Sequence, residues 1–193
     1  MSLNATAPRT LDATPQTSAA SDWENWSGSV KARPRHIWHP ESEAALRQGI
    51  AGSTGAVRVC GAGHSFTSLC ATDETLISLV NMPGDLLEVR QLGGETLARL
   101  QAGASLNRVS RALLSQGLAF KNLGDIDVQS LAGAMMTATH GTGQSLPCVS
   151  AELRSLRLIT ASGEVIVADG ATDPDLLERG ARVPGGAGGC DAG

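Results

Sequence analysis

The sequence predicts a mixed α+β fold, with a small N-terminal αβ unit followed by a larger unit rich in antiparallel strands. Three observations support this prediction. A helical pattern at residues 42–52 precedes a short apolar run at 57–59. Strand-like runs separated by glycine-containing turns occupy much of residues 76–100. A second helical pattern at 105–117 is followed by two runs that resemble a hairpin around residues 162–163.

The composition indicates a globular protein and argues against several other classes. The chain has 193 residues, of which 41% are hydrophobic and 18% charged, so it is large enough for a core and too apolar for overall disorder. A formal net charge of -4 without a lysine or arginine cluster argues against a nucleic-acid-binding surface. Because there is neither a signal-peptide pattern nor an apolar run of about 20 residues, we expect no transmembrane segment.

The cysteines and histidines do not have the spacing of a metal site. The four cysteines form no C-x-x-C pair, which argues against a zinc site or a redox dithiol and favours a reduced, cytoplasmic protein. A metal site built from His36, His39 and His140 is conceivable, but nothing in the sequence brings these residues together. We therefore predict no metal site.

The first ordered element is expected near Trp23. Residues 1–21 are rich in Thr, Ala, Ser and Pro and are predicted to be a disordered leader. Extended segments at 30–33 and 35–37 flank Pro34. The helix that follows is expected to begin near Glu41 or Ser42 and to end at Gly52. Its apolar face is formed by Ala45, Leu46, Gly49 and Ile50.

The middle of the chain alternates between strand and helix patterns. Residues 57–59 predict a buried strand that runs into a glycine turn, and runs at 76–79, 86–89 and 96–100 predict further strands. Ser105 is predicted to be the N-cap of the second helix, and Gly117 to end it. The apolar stripe of that helix is Leu106, Val109, Leu113 and Leu114. Residues 131–137 predict a short buried helix, and 153–160 with 164–167 predict a hairpin.

The end of the chain does not look like the end of a folded domain. Six of the fourteen residues from Gly180 to Gly193 are glycine, without helical or strand periodicity. We therefore expect the folded domain to cover residues 22–179. Residues 180–193 are expected to be an irregular tail that arises from truncation or a frame shift.

Two turns of small residues, each with a histidine, carry the chemical signal. They read Val59-Cys60-Gly61-Ala62-Gly63-His64-Ser65-Phe66 and Thr137-Ala138-Thr139-His140-Gly141-Thr142-Gly143. Glycine-rich turns bring backbone N–H groups close to anions such as phosphate. A lone turn of this kind is more often structural, and a lone histidine is more often a hydrogen-bonded scaffold residue. The strand before Gly61 and the hydroxyl of Ser65 favour the binding interpretation.

The two stretches together resemble one flavoprotein family. V-C-G-A-G-H-S-F and N-L-G-D-I-D-V-Q-S-L-A-G-A-M-M-T-A-T-H-G-T-G are similar to the two flavin-binding stretches of the vanillyl-alcohol oxidase and p-cresol methylhydroxylase (PCMH) superfamily. Within it, the chain resembles the aldonolactone oxidases, which act on gulonolactone or arabinonolactone, and the alditol oxidases. The resemblance covers residues 23–177. It implies a PCMH-type FAD-binding domain whose two αβ subdomains clamp the cofactor.

The resemblance assigns roles to residues of both stretches. It implies that Gly61, Ala62, Gly63 and Ser65 contact the FAD pyrophosphate, with Phe66 in the same turn, and that His64 forms a covalent bond with the flavin 8α-methyl group. The second side of the cofactor would be lined by Gly124, Asp125, Gln129, Ser130, Gly133, Thr137, Thr139 and Gly141. Val165 or Val167 matches the strand that meets the adenine.

The resemblance also implies a reaction, and it implies that this chain lacks part of the machinery for that reaction. A neutral imidazole can add to the electrophilic methyl carbon of oxidised flavin, and the bond would raise the reduction potential. The reaction would be hydride removal from a CH–OH group of a sugar-derived lactone or polyol, with oxygen as the expected acceptor. The family's C-terminal substrate domain is expected to be absent, so no catalytic base is identified.

Two alternatives remain open at this point. The chain could be a noncatalytic remnant that binds flavin weakly or not at all, with exposed sheet edges that favour aggregation. A nucleotide-binding NAD or ATP module is the weaker alternative. The sequence lacks the phosphate-binding motif G-x-x-x-x-G-K-[ST], and its helix precedes the strand and glycine turn instead of following them.

Overall fold

The computed structural model describes residues 17–18 and 22–182. The strands are β1 (Thr17–Ser18), β2 (Trp23–Glu24), β3 (Lys31–Ala32), β4 (His36–Trp38), β5 (Val57–Cys60), β6 (Thr75–Ser78), β7 (Leu86–Leu92), β8 (Glu95–Leu100), β9 (Ser155–Ile159) and β10 (Val165–Asp169). The α-helices are α1 (Glu43–Ala51), α2 (Leu106–Leu114), α3 (Leu131–Met136) and α4 (Pro174–Arg182). Short 3-10 helices lie at Leu79–Asn81 and Val149–Glu152.

The N-terminal unit is a four-stranded sheet covered by α1. Its strand order is β1-β4-β6-β5, with β4 and β5 parallel to β6 and β1 antiparallel to β4. The core beneath α1 is formed by Trp38, Leu46, Ile50 and Ile77. Gly49 faces the Trp38 ring so closely that a β-carbon there would collide with it. The predicted glycine on the apolar face therefore lets helix and sheet approach.

The predicted limits of α1 are confirmed by its caps. The Ser42 hydroxyl accepts a hydrogen bond from the backbone N–H of Ala45 at 3.2 Å, which satisfies one of the free donors of the first turn. Gly52 is the C-cap, and its N–H donates to the Gln48 carbonyl at 2.9 Å. Local side-chain chemistry thus sets both ends of this helix.

The second unit consists of separate antiparallel ladders instead of the one larger sheet expected from the strand pattern. Within the described residues, β7 pairs only with β8, and β9 only with β10. Helix α2 begins after Ser105 as predicted and buries Leu106, Val109 and Leu113. Leu114 was expected in the same stripe but is 73% exposed. The buried stripe is therefore narrower than predicted: Val109 and Leu113 pack against the β7–β8 ladder, and Leu106 packs against Leu131 and Ala134 of α3.

The β9–β10 hairpin, predicted around Ser162-Gly163, docks on α1 of the first unit. Gly163 accepts a hydrogen bond from Arg47 Nε at 2.8 Å. The guanidinium of Arg157 binds both carboxylate oxygens of Glu43, at 2.7 and 2.8 Å. Hydrogen bonding by Arg157 lowers the pKa of Glu43 below its usual value. This ion pair ties the hairpin to the first helix of the chain.

Both ends of the chain differ in part from expectation. Thr17–Ser18, placed within the predicted disordered leader, pair with Trp38 and Ile37, whereas residues 1–16 and 19–21 lie outside the described residues. Helix α4 was not predicted and continues past Arg179, and Gly180 is buried against Leu156. The rest of the predicted tail, residues 183–193, lies outside the described part. No helix among the described residues is long and apolar enough to cross a membrane.

Candidate cofactor-binding site

The first glycine turn follows the carboxyl end of β5 and is open on one side. Gly61 and Ala62 are exposed, and Gly63 to Ser65 are half-buried. Gly63 has a φ of +71°, a conformation that glycine adopts without strain. Its carbonyl accepts a hydrogen bond from the Trp26 backbone N–H at 2.9 Å. The turn is therefore held from the N-terminal side while its small residues face outward.

Asn25 anchors this turn, a role that was not predicted. It is 2% exposed, and its Nδ2 donates to the Ser65 carbonyl at 3.0 Å and to the Ser29 hydroxyl at 3.2 Å. Its Oδ1 accepts from the Val30 backbone N–H at 3.0 Å. A buried amide with its donors and acceptor satisfied has one stable orientation. Asn25 thus joins the β2–β3 connection to the turn, forty residues later in the sequence.

His64 is held by ring stacking. The Trp26 ring lies against the imidazole with centroids 5.2 Å apart and planes inclined by 21°. The Phe66 ring is nearly perpendicular to that of Trp26, with the two ring centroids 6.5 Å apart. Trp26 and Phe66 are 67% and 69% exposed, so the cluster lies at the surface. Within the described residues, the ring nitrogens of His64 make no hydrogen bond to protein.

The second stretch is built around the start of α3. Ser130 is its N-cap and its hydroxyl accepts from the Gly133 N–H at 3.3 Å, as expected for a serine before a short helix. A β-carbon on Gly61 would collide with this same hydroxyl. The first glycine turn and the second stretch are therefore in direct contact, although about seventy residues separate them.

Hydrogen-bonded polar side chains connect the residue before the N-cap of α3 with the residues after its end. Gln129 Nε2 donates to Thr139 Oγ1 at 3.2 Å, and the Thr137 and Thr139 hydroxyls lie 3.2 Å apart. The Thr137 hydroxyl also donates to the Gly133 carbonyl at 2.9 Å. Gln129 Oε1 is buried and has no partner among the described residues. An acceptor of this kind normally has a donor, so a ligand N–H or O–H is a fitting partner.

The loops next to these polar side chains approach each other closely at two glycines. A β-carbon on Gly124 would come within 2.8 Å of Thr139 Cγ2, and one on Gly141 would collide with the Leu123 carbonyl. Asp125 next to Gly124 is exposed. His140 is also exposed, and its Nδ1 is 2.8 Å from the Gly141 carbonyl, which fits the scaffold role predicted for it.

Val165 and Val167 take no part in these contacts between the two motifs. They belong to β10 and pair with Ile159 and Arg157. Val165 is half-buried and Val167 is 54% exposed. Within the described residues, no hydrogen bond links this ladder to either glycine turn. The two glycine motifs therefore contact each other, whereas neither is hydrogen-bonded to β10 in the described part of the chain.

The assembled residues fit a dinucleotide cofactor with a phosphate group. Gly61 and Ala62 are exposed beside the Ser130 N-cap, and Gly61 lets the two motifs approach because a β-carbon there would collide with the Ser130 hydroxyl. The unpaired Gln129 oxygen supplies an acceptor nearby in the same network. By contrast, the described residues contain no group of three His, Cys, Asp or Glu that could hold a metal ion.

Comparison with known proteins agrees with this fit. The family model described as "FAD binding domain" matches residues 34–169. L-gulono-1,4-lactone dehydrogenase of Mycobacterium tuberculosis is 41% identical over 147 residues, which are 75% of this chain and 34% of that protein. D-arabinono-1,4-lactone oxidase of Eremothecium gossypii is 32% identical over 164 residues, 80% of this chain and 30% of that protein. The chain thus spans about one third of the length of the curated relatives it matches.

A solved structure shows the same fold. Cholesterol oxidase from B. sterolicum superimposes with a TM-score of 0.69 at 18% identity, over 86% of this chain and 35% of the cholesterol oxidase chain. The predicted PCMH-type α+β fold is confirmed by this likeness. The chain belongs to the FAD binding domain family, and its fold is of the PCMH type.

Proposed function

We propose that this chain is the FAD-binding part of an oxidoreductase that acts on CH–OH groups of sugar-derived lactones or polyols, with oxygen as acceptor. The contact between Gly61 and Ser130 carries the proposal, because it unites two distant glycine-containing motifs in one site. The substrate class rests on the names of the relatives, which are a gulonolactone dehydrogenase and an arabinonolactone oxidase. The proposed domain covers residues 22–179.

The first turn would hold the phosphate groups of FAD. The exposed backbone of Gly61 and Ala62 offers N–H donors without a side chain in the way, and Gly63 sets the bend. The Ser65 hydroxyl, 2.9 Å from that of Thr67, can add a donor. Fixed backbone donors suit a pyrophosphate because they require little reorganisation on binding.

The second stretch would line the opposite side of the cofactor. Gln129 can accept a hydrogen bond there through its unpaired oxygen, while Thr137 and Thr139 keep its amide in place. The remaining members proposed for this side are Gly124, Asp125, Ser130, Gly133 and Gly141. Val165 or Val167 is proposed for the adenine end; Val167 has the exposed surface that such a contact needs.

His64 is the proposed site of a covalent bond to the flavin 8α-methyl group. Its ring nitrogens have no protein partner among the described residues, so one of them is available for bond formation. FAD supplies the redox chemistry when bound, since its ring accepts a hydride equivalent from the substrate carbon. The protein's part is to bind the dinucleotide, to fix the ring and to prevent its loss.

The lactone or polyol itself would be bound by a longer protein. Since this chain spans about one third of the relatives' length, we expect it to bind FAD and not to oxidise a lactone by itself. No catalytic base is assigned. A reducing, cytoplasmic location is also part of the proposal and rests on the free thiols of Cys60, Cys70 and Cys148.

The visible spectrum of the purified chain tests the proposal. We expect a yellow protein whose flavin remains with the chain after acid precipitation. A His64→Ala variant should still take up FAD and should release it on precipitation. A His140→Ala variant is the matched control and should retain the covalent flavin. A colourless chain that takes up no added FAD would refute the proposal and favour a noncatalytic remnant.

A further inference from the structure

We infer that Trp26 is a positioning residue, which holds the His64 imidazole in the orientation required for bond formation with the flavin. The inference rests on the proposed covalent role of His64. It adds a residue that lies outside both glycine motifs and outside the region matched by the family model. The observation that carries it is the stacked pair formed by the two rings.

Stacking is the restraint on His64 that the described structure provides. The ring nitrogens have no hydrogen-bond partner in the described part of the chain, whereas His140 has the Gly141 carbonyl at 2.8 Å. A histidine side chain without such a bond can rotate about two side-chain torsions. Nearly parallel rings with centroids 5.2 Å apart limit that rotation through contact of their faces.

The orientation of the stack leaves the reactive atoms accessible. Trp26 covers one face of the imidazole, and the planes differ by only 21°. The nitrogen lone pair used for bond formation lies in the plane of the imidazole and points away from its edge. A partner on the face therefore restrains the ring without covering the nitrogen.

Trp26 is itself fixed by its backbone. Its N–H donates to the Gly63 carbonyl at 2.9 Å, and the preceding Asn25 is buried and bonds to the Ser65 carbonyl. A β-carbon on Gly63 would be 3.5 Å from the Trp26 nitrogen, so the two segments are in close contact. Asn25 and Trp26 are thus bonded to Ser65 and Gly63, the two neighbours of His64, and this places the base of the tryptophan side chain next to the histidine.

The covalent step that Trp26 would assist joins an imidazole nitrogen of His64 to the flavin methyl carbon. One C–H bond of the flavin methyl group and the N–H bond of the imidazole break, and one N–C bond forms. The two protons and two electrons released are taken up by the flavin ring. Dioxygen, the oxidant, then restores the oxidised ring and is reduced to hydrogen peroxide. Trp26 takes part in none of these transfers and acts only on the position of His64.

The first test uses the apo chain and nuclear magnetic resonance. The indole ring current should shift the His64 ring protons upfield, and Trp26→Ala should remove this shift. Trp26→Leu keeps apolar volume without an aromatic face and serves if the alanine variant folds poorly. Unchanged His64 shifts in a folded variant would refute the stacking on which the inference depends.

The second test measures covalent incorporation of FAD at saturating concentration. We expect incorporation to slow by about 10- to 100-fold in Trp26→Leu, as when a reacting group is misplaced. Reversible FAD affinity should change much less, and Trp26→Phe should restore most of the rate. Leu69→Ala is the control, because Leu69 is exposed and lies in the loop that contains His64. This variant should keep the wild-type rate.

The outcomes separate this inference from the proposed function. A wild-type rate in Trp26→Leu, with the wild-type chain forming a covalent flavin, overturns the inference and leaves the proposed function intact. A wild-type chain that binds FAD only reversibly overturns the covalent role of His64, and the inference with it. Slowed incorporation with rescue by phenylalanine supports both.

Discussion

The contact between the two glycine motifs predicts a specific energetic coupling between Gly61 and Ser130. In Gly61→Ala the new methyl group would collide with the Ser130 hydroxyl and would be 3.0 Å from its Cβ. Its near neighbours all belong to Ser130. Either the turn moves away from α3 or the hydroxyl leaves its cap position, where it accepts from the Gly133 N–H at 3.3 Å.

The magnitude follows from the two alternatives. Overpacking of this kind costs about 1–3 kcal/mol. The alanine also reduces the freedom of the unfolded chain, which offsets about 0.4–1 kcal/mol, so we expect a net loss of about 1–2 kcal/mol. Ser130→Ala alone should cost about 1 kcal/mol, because it removes an N-cap. It also removes the atom with which the new methyl group collides.

The double variant Gly61→Ala/Ser130→Ala should therefore be more stable than the sum of the single variants predicts. We expect a coupling of at least about 1 kcal/mol in the free energy of unfolding, measured by urea titration with tryptophan fluorescence. Ser42→Ala is the matched control, because it removes an N-cap that does not contact the new methyl group. Additivity of Gly61 and Ser130 within about 0.3 kcal/mol would refute the contact between the motifs.

Three further predictions concern parts of the chain outside the motifs. The pKa of Glu43 is lowered by its arginine partner, so this carboxylate stabilises the fold above its unfolded pKa and loses that contribution as the pH falls through the folded value. Glu43→Gln should remove this part of the acid dependence of urea unfolding, worth less than about 1 kcal/mol because the pair is partly exposed; an unchanged pH profile would contradict it. Burial raises the pKa of Cys60 to about 11, whereas hydrogen bonding to a neighbouring serine lowers the pKa of Cys148, so iodoacetamide at pH 8 should label Cys148 before Cys60, as followed by peptide mass mapping. Equal labelling rates would count against the buried position of Cys60. Finally, Ile77→Ala should destabilise the chain by about 2–5 kcal/mol in thermal or urea unfolding, because Ile77 is fully buried, while Leu114→Ala should change stability by less than about 0.5 kcal/mol.

The parts of the fold that the sequence predicts well are those set by neighbouring residues. The ends of α1 follow from a serine cap and a glycine stop, and the start of α2 follows from Ser105. The β9–β10 hairpin follows from its glycine turn. Helix α4 carried a comparable signal that the prediction missed. Asp173 caps it by accepting from the Leu176 N–H at 3.2 Å, and Pro174 occupies the first position.

The parts that could not be predicted are contacts between distant segments. Nothing in the residues around Asn25 indicates that its amide will bond to the Ser65 carbonyl, forty positions later. The exposure of Leu114 likewise depends on which elements pack against α2, namely the β7–β8 ladder and α3, and helical periodicity does not contain this information. The resemblance assigns motif residues to the proposed site but gives no indication of what holds them in place.

The segment that fixes the first glycine turn lies outside the residues that the family model matches. The family match begins at residue 34, yet the hydrogen bonds that fix the first glycine turn come from Asn25 and Trp26, before that point. The turn needs them because Gly61 to Gly63 have little side-chain packing of their own. Small residues let the backbone approach a ligand closely, but they also leave the backbone more flexible. The residues proposed to bind the cofactor and the residues that hold the turn in place are thus different sets. A unit defined by the motifs alone would include the proposed phosphate donors but omit Asn25 and Trp26, which keep the turn in position.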